Sequence, residues 1–376
     1  MADEREASRY HRAQLVLALA GLAIGLAYLG VVLATDVTRA VDSLAARLSP
    51  AWWWRVAVVV SLLGLGHGLL GVPVGVVRGY WLPRRYGVLH QSFRAWLGDR
   101  AKAAMLAGVL ALLAFELIYG LLALTRLWWL VGAAIFVLAG AVITALVPAC
   151  ILPLFYRLTP LADALLAARL LALARHFGVS ALGVWVADQS RKSRTANAAL
   201  VGLGRTRRII LFDTLLREFT PDEIESVLAH ELGHHVHRDV ARGLLAQGIL
   251  TLITFWIADR LIAAAVPRLG LDGPADPAGV PWVALVLAVI GLAAAPLGNA
   301  FSRRLERQAD DWALAATANA GAFVGALERL GRLNLAERKP HPVKEFLLHS
   351  HPSLAHRIER ALRSPARLRH ATRGSA

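Results

Sequence analysis

The chain has 376 residues, of which 57% are hydrophobic and 18% charged, against about 25% charged in soluble domains, which excludes an ordinary water-soluble enzyme. Its mean hydropathy is +0.52, yet 41 basic and 26 acidic residues must be placed, so apolar and charged stretches are segregated as in a polytopic membrane protein with water-facing parts. The net charge of +15 then serves topology and anionic head groups rather than nucleic acid, and the single cysteine, Cys150, excludes an intramolecular disulfide.

Six stretches, 14–34, 56–77, 103–124, 128–154, 241–266 and 279–301, are long enough to cross a hydrocarbon core, which takes about 20 apolar residues. The first reads as a retained span: its apolar part exceeds the roughly 7 to 15 residues of a signal core, and Asp3, Glu4 and Glu6 precede it. The loop 78–102 holds Arg78, Arg84, Arg85, Arg94, Arg100 and Lys102 against Asp99 alone, whereas 267–280 holds Arg268 against Asp272 and Asp276. The positive-inside rule makes the first cytoplasmic and the second external. Six crossings then put both termini and the segment 155–240 in the cytoplasm, and the Arg-rich tail 357–373 agrees. Trp52, Trp53, Trp54, Trp128 and Trp129 read as anchors at the opposite interface.

Between the fourth and fifth spans the composition becomes that of a soluble domain. Residues 161–177 have a helical apolar period, 182–187 and 208–212 read as short strands, and 221–236 reads as a helix capped by Thr220 with Asp222 and Glu223 in its first turn. The chain divides into a four-span membrane part (1–155), a small α+β segment (156–240), a two-span hairpin (241–301) and a second polar segment (302–376). The loop residues Arg191, Lys192 and Arg194 read as solvated or lipid-facing.

The capped helix carries His230, Glu231, Leu232, Gly233 and His234, an H-E-x-x-H pattern. Positions i and i+4 share a helical face, so His230 and His234 can both reach one Zn²⁺ while Glu231 serves a water activated by the metal. With 13 His and 12 Glu in the chain, random placement predicts about 0.014 such patterns. The predicted chemistry is amide hydrolysis without a covalent intermediate, Glu231 taking the proton of the attacking water and passing it to the leaving amine. His235 and His237 face other directions.

A catalytic zinc site takes three protein ligands and keeps one position open. Glu306 is the best third ligand: the His-bearing helix ends just before the fifth span and Glu306 lies just after the sixth, so a membrane hairpin returns both to one face. Asp310, one turn further on, can accept the free N–H of a liganding imidazole.

These motifs, with Pro153-Leu154-Phe155, Thr159-Pro160-Leu161, 193–202 containing Asn197-Ala198, 208–216, 302–310 and His351-Pro352 with Arg357, resemble the M48 metallopeptidases, specifically the Ste24-type CAAX prenyl proteases. The resemblance covers about residues 56–363. It implies Glu306 as third zinc ligand and Asp310 as its supporting partner. It also implies Asn197 and Ala198 on an edge strand that pairs with substrate backbone, His351 as oxyanion donor, and Arg357 holding the site together. The family is described with seven spans around a water-filled chamber, so the six spans here leave the chamber wall incomplete or completed by another chain. An aromatic is common after the Asn-Ala pair, where this chain has Ala199-Leu200.

Glu116 and His67 lie within spans, where ionisable groups are costly; lining a hydrated chamber accounts for both. Asp259 and Arg260, adjacent in the fifth span, mark the outer end of such a chamber. The expected fold is an α-helical polytopic membrane protein with a cytoplasmic α+β zincin-type domain, holding one Zn²⁺ per chain and acting on peptide or membrane-protein substrates at the bilayer. Arg far outnumbers Lys, as in high-GC bacteria, which points to a bacterial plasma membrane and to removal of damaged membrane proteins ahead of CAAX processing. The alternatives are an HtpX-like quality-control protease and a non-catalytic zinc-binding transporter or sensor.

Overall fold

The computed structural model describes residues 2–146, 150–202 and 207–364. The N-terminal half is helical: α1 (Ala2–Ala34), α2 (Val37–Leu48), α3 (Trp52–Val76), which runs through a π turn into α4 (Leu82–Arg85), α5 (Phe93–Leu124), α6 (Trp128–Leu146) and the short α7 (Leu152–Phe155). A water-facing unit follows, with β1 (Leu158–Pro160), α8 (Ala164–His176), β2 (Val184–Ala187), β3 (Ala198–Val201), β4 (Arg208–Phe212), α9 (Asp213–Glu218) and α10 (Pro221–Val236). The long helices α11 (Asp239–Leu269) and α12 (Val280–Thr317) form a hairpin, and α13 (Ala320–Leu333), α14 (Pro342–Leu348) and α15 (Leu354–Arg363) close the described chain.

Among the described residues six helices are long and apolar enough to cross a membrane: Glu4–Ala34, Trp52–Arg85, Phe93–Leu124, Trp128–Leu146, Asp239–Leu269 and Pro277–Thr317. They coincide with the six apolar stretches of the sequence, but most extend beyond them. Hydropathy marks only the lipid-compatible part of a helix, and backbone hydrogen bonding carries the helix on until a cap stops it. Thus α5 opens at Ser92, whose hydroxyl accepts from Ala95 N–H, and α12 continues through its charged stretch to Ala318, which turns left-handed at φ 49°. The fourth helix is described only to Leu146, since 147–149 of the expected span and 365–373 of the Arg-rich tail lie outside the described residues.

The helices meet around Val56, Val59, Ile118, Phe255, Ile262 and Val283. The loops after α1, α5 and α11 gather at one end. There Arg55 grips Asp42 of α2 with N–H to oxygen distances of 2.7 and 2.5 Å, Arg39 donates to Gly270 C=O at 3.1 Å, and Trp128 Nε1 donates to Asp259 at 2.8 Å. Arg260 also approaches Asp259, at 3.8 Å. His67 borders an open groove between α1, α3 and α5, and one carboxylate oxygen of Glu116 is buried with no described partner.

At the other end a four-stranded sheet has the order β1-β2-β4-β3, with β2 and β4 parallel and the outer pairs antiparallel, so β3 is an edge. Leu170, Ile209, Leu211, Leu215, Leu228 and Leu232 form its buried core with α8 and α10. The second polar segment completes the same body: Phe323 and Leu327 of α13 and Ile358 of α15 pack with Ala229 of α10 and Ala313 and Leu314 of α12. Lys192 is not solvated as its loop composition suggested. It is buried and donates to Asp99 of α5 at 2.7 Å, an ion pair that ties α5 to the connection between β2 and β3 and offsets the cost of burying the charge. Arg194 likewise turns inward, donating to the Leu333 carbonyl at 3.1 Å.

Candidate metal centre

Helix α10 starts where the sequence says it should. Thr220 Oγ1 accepts from Glu223 N–H at 3.3 Å, Glu223 returns the bond to Thr220 N–H at 2.8 Å, and Pro221 occupies the first turn. This reciprocal cap fixes the helix phase, and with it the face on which His230 and His234 stand one turn apart. Their Nε2 atoms are 3.2 Å from each other.

Helix α12 crosses this face and delivers Glu306. Its Oε2 lies 3.3 Å from His230 Nε2 and its Oε1 3.4 Å from His234 Nε2, and one ligand atom from each of the three residues falls within 4.8 Å of the others. The close approach depends on Gly233, because a Cβ there would stand 3.1 and 3.2 Å from the Cα and O of Ala309. Gly233→Ala gains up to about 1 kcal/mol of helix propensity, but the contact is with backbone that cannot swing aside, and overpacking costs about 1 to 3 kcal/mol. The variant is therefore expected to melt earlier and to bind metal more weakly; a higher melting temperature in thermal unfolding would contradict the packing argument.

The Nδ1 side of each imidazole is held by a carboxylate: His230 by Asp310 Oδ1 at 2.8 Å and His234 by Asp239 Oδ2 at 2.9 Å. A neutral imidazole whose Nδ1–H is donated in this way turns its Nε2 lone pair outward. Two such lone pairs and a buried carboxylate then converge, and Glu306 Oε2 receives no well-directed hydrogen bond although His351 Nδ1 is 2.8 Å away. One proton can sit among these groups, but two imidazole nitrogens at 3.2 Å cannot both carry one. The donor set fits a metal cation, with two imidazoles and one carboxylate in the pattern of an open catalytic site.

Asp310 is itself clamped by Arg357, whose Nε and guanidinium nitrogen reach its two oxygens at 2.9 and 2.6 Å. Such a bidentate pair fixes orientation as well as charge. Glu231, one residue beyond His230, is not one of the converging three; it borders the same small cavity of about 130 Å³ with Asn197, His351 and Arg357. Burial raises its carboxyl above the usual range, against the lowering effect of His230 and His234. The side chain of His351 is 61% exposed and borders the same cavity. Ala198 is buried on the edge strand. His237 bonds the Gly233 carbonyl at 2.7 Å, and His235 takes no part.

Two residues escaped the sequence reading. Asp239 supports His234 only because Arg238 turns left-handed (φ 55°) between α10 and α11, and nothing in its spacing announces this. Arg303 donates to the carbonyls of Glu345 and Phe346 at 3.1 and 3.2 Å, anchoring the segment that leads to His351; its only signal in the sequence is its place in the S-R-x-x-E run, three residues before Glu306.

Burial alone would lower the His230 imidazole, but the carboxylates of Asp310 and Glu306 beside it outweigh that and push it up to about 9. Below that pH a proton must leave before metal can bind, so metal affinity is expected to fall about tenfold per pH unit for each proton displaced as the pH drops from 8 to 6. Competition with a chelating dye across this range measures it; a flat profile would mean that no imidazole proton is displaced.

Residues 160–365 match peptidase family M48, and residues 2–157 match the CAAX prenyl protease N-terminal family, described as five membrane helices. The chain belongs to peptidase family M48. It is similar to the uncharacterized metalloprotease YhfN of Bacillus subtilis, 27% identical over 88% of this chain and 79% of that one. It is also similar to CAAX prenyl protease 1 of Saccharomyces cerevisiae, 30% identical over 52% of this chain and 44% of that one, and to protease HtpX of Pseudomonas putida, 35% identical over 44% and 60%. The crystal structure of S. mikatae Ste24p superposes with a TM-score of 0.84 over 96% of this chain and 89% of that one at 23% identity, a likeness of fold. This M48 chain is thus a multi-pass membrane metallopeptidase with a Ste24-like fold. Four of its candidate spans fall within the segment matched by the five-helix family.

Proposed function

We propose that this M48 peptidase is a zinc endopeptidase that cuts extended segments of membrane-associated polypeptides at the cytoplasmic face of a bacterial plasma membrane. The observation that carries the reading is a half-buried carboxylate, Glu231, standing beside but outside a three-ligand cluster, next to a strand edge that pairs with no other strand among the described residues. A purely structural or signalling metal site has no use for such a group. Zinc, when held by His230, His234 and Glu306, supplies Lewis-acid polarisation of the reacting oxygens.

The other roles belong to the chain itself. Asp310 and Asp239 keep the two imidazoles in the liganding tautomer, and Arg357 holds Asp310. Glu231 takes the proton of the attacking water and delivers it to the leaving amine. His351 turns from Glu306 toward the substrate carbonyl to stabilise the developing negative charge. The Asn197-Ala198 end of β3 pairs with substrate main chain, which gives affinity with little sequence preference. Segments 156–240 and 302–376 form the peptidase part, and 1–155 with 241–301 the membrane part.

The cytoplasmic assignment rests on charge. Arg78, Arg84, Arg85, Arg94 and Arg100 belong to the stretch 78–102, which meets the sheet unit through Leu89 and Ser193, and Asp272 and Asp276 to the loop between α11 and α12. CAAX processing is named for the yeast relative, whereas an excess of Arg over Lys, common in high-GC bacteria, favours clearance of damaged membrane proteins; the match along nearly the whole chain to a Ste24 fold favours that type over the shorter HtpX match. Cells expressing the protein with a tethered, poorly folded reporter on either side of the membrane test this: cleavage is expected only of the cytoplasmic reporter. Cleavage confined to the external reporter would reverse the topology.

A further inference from the structure

A strand edge offers hydrogen bonds only at alternate residues. The Phe212 N–H donates to the Asn197 carbonyl at 3.0 Å, and the register runs Ala198 to Leu211 and Leu200 to Ile209. Asn197, Ala199 and Val201 therefore bond inward to β4, and the peptide groups of Ala196, Ala198 and Leu200 point out from the sheet. Those of Ala196 are already taken. Its N–H donates to Asn334 Oδ1 at 3.0 Å, and Asn334 Nδ2 donates to its carbonyl at 3.4 Å. The side-chain amide occupies the edge as the peptide group of a neighbouring strand would.

Asn334 is well held in this place. It caps the C-terminus of α13, its own N–H donating to Leu330 C=O at 2.9 Å, and the chain then turns through Leu335 at φ 48° so that Ala336 N–H returns to Gly331 C=O at 2.8 Å. A buried leucine in the left-handed region is strained, and that strain is balanced by the contacts that fix the turn, among them a hydrogen bond from His11 of α1 to Leu335 C=O at 2.9 Å. Beyond Asn197 a groove of about 600 Å³ continues past Asn334, bordered by His349, His351 and Leu348.

We infer that Asn334 is a positioning residue that ends the substrate-binding edge at Ala198, so that substrate is held by main-chain pairing on one side of the scissile bond and by side-chain contacts alone on the other. The inference rests on the reading of β3 as the substrate edge. On the paired side the outward peptide groups of Leu200 and the Ala198 carbonyl have no partner among the described residues, and the Ala198 N–H is released when Asn197 Oδ1, now 2.9 Å from it, turns away. On the groove side Ala196 can offer nothing while Asn334 is in place, and selection there follows the shape and polarity of the groove.

The test is a set of cleavable peptides, each N-methylated at one amide around the cut, assayed with the purified full-length protein. Each main-chain hydrogen bond lost should lower kcat/KM roughly two- to tenfold. In the parent protein the penalties are expected on one side of the cut only. In Asn334→Ala a new sensitive position should appear on the other side, with the gain for the unmethylated peptide in KM rather than kcat. Asn334→Ser serves equally if the alanine variant melts early. Penalties on both sides in the parent protein, or an unchanged map in the variants, overturn the inference. Cleavage by Glu231→Gln at the parent rate would instead sink the catalytic reading beneath it.

Discussion

Replacing Glu231 with Gln is expected to lower kcat by about 10²- to 10⁴-fold while metal content stays that of the parent protein. Glutamine keeps the size and the position but cannot take a proton, and Glu231 is not among the three groups that converge. Its raised carboxyl, a consequence of burial, brings its proton affinity closer to that of the groups it must exchange with, which is where general acid-base transfer is most effective. Turnover of a membrane-tethered reporter and metal analysis on the same preparation separate the two roles. A variant that cuts normally would remove Glu231 from the chemistry, and one that loses metal would make it a ligand.

Glu306→Ala should abolish both properties at once. The two facing imidazoles remain, but the carboxylate that offsets the charge of the cation is gone, and a bis-imidazole pair on one helix turn is a far weaker site than a three-ligand one. Metal content is expected to fall from about one per chain to background in dialysed protein, with no reporter cleavage. The melting temperature of the parent protein should then rise with added metal while that of the variant does not, because only a state that binds ligand is stabilised by it. Retained metal and activity would dismiss Glu306 as third ligand.

The legible parts of this protein were those written in local spacing. The six apolar stretches, the Thr220 to Glu223 cap and the His230 to His234 repeat each depend on residues within a few turns of one another. Glu306 could be reached because two apolar stretches of similar length must return the chain to the same face. What escaped depends on tertiary geometry. Asp239 is brought under His234 by a single left-handed residue, Arg238, and Asn334 meets Ala196 across 138 residues of chain. β1 contains Pro160 and β3 opens on Ala198-Ala199, residue types depleted in strands, whereas the equally short β2 is Val-Trp-Val-Ala; β1 is therefore not legible in the sequence and β3 only through the family resemblance. Gly233 looks like filler inside the motif until α12 is laid against it. Lys192 was misread because a charge in a loop is ordinarily solvated, and only the folded chain shows Asp99 waiting for it.

Helix α12 is a 38-residue helix, about 57 Å long at 1.5 Å per residue, and Glu306 rides on the same rod that crosses the apolar bundle. The two imidazoles stand on α10, which belongs to the sheet body. Lipid thickness therefore bears on ligand geometry: a span that is too long or too short for its bilayer tilts at modest cost, and a few degrees at one end of such a lever displace its far end by ångströms. Reconstitution in short- and long-chain lipids, followed by metal retention against a chelator, would register that coupling as a difference in off-rate between bilayers.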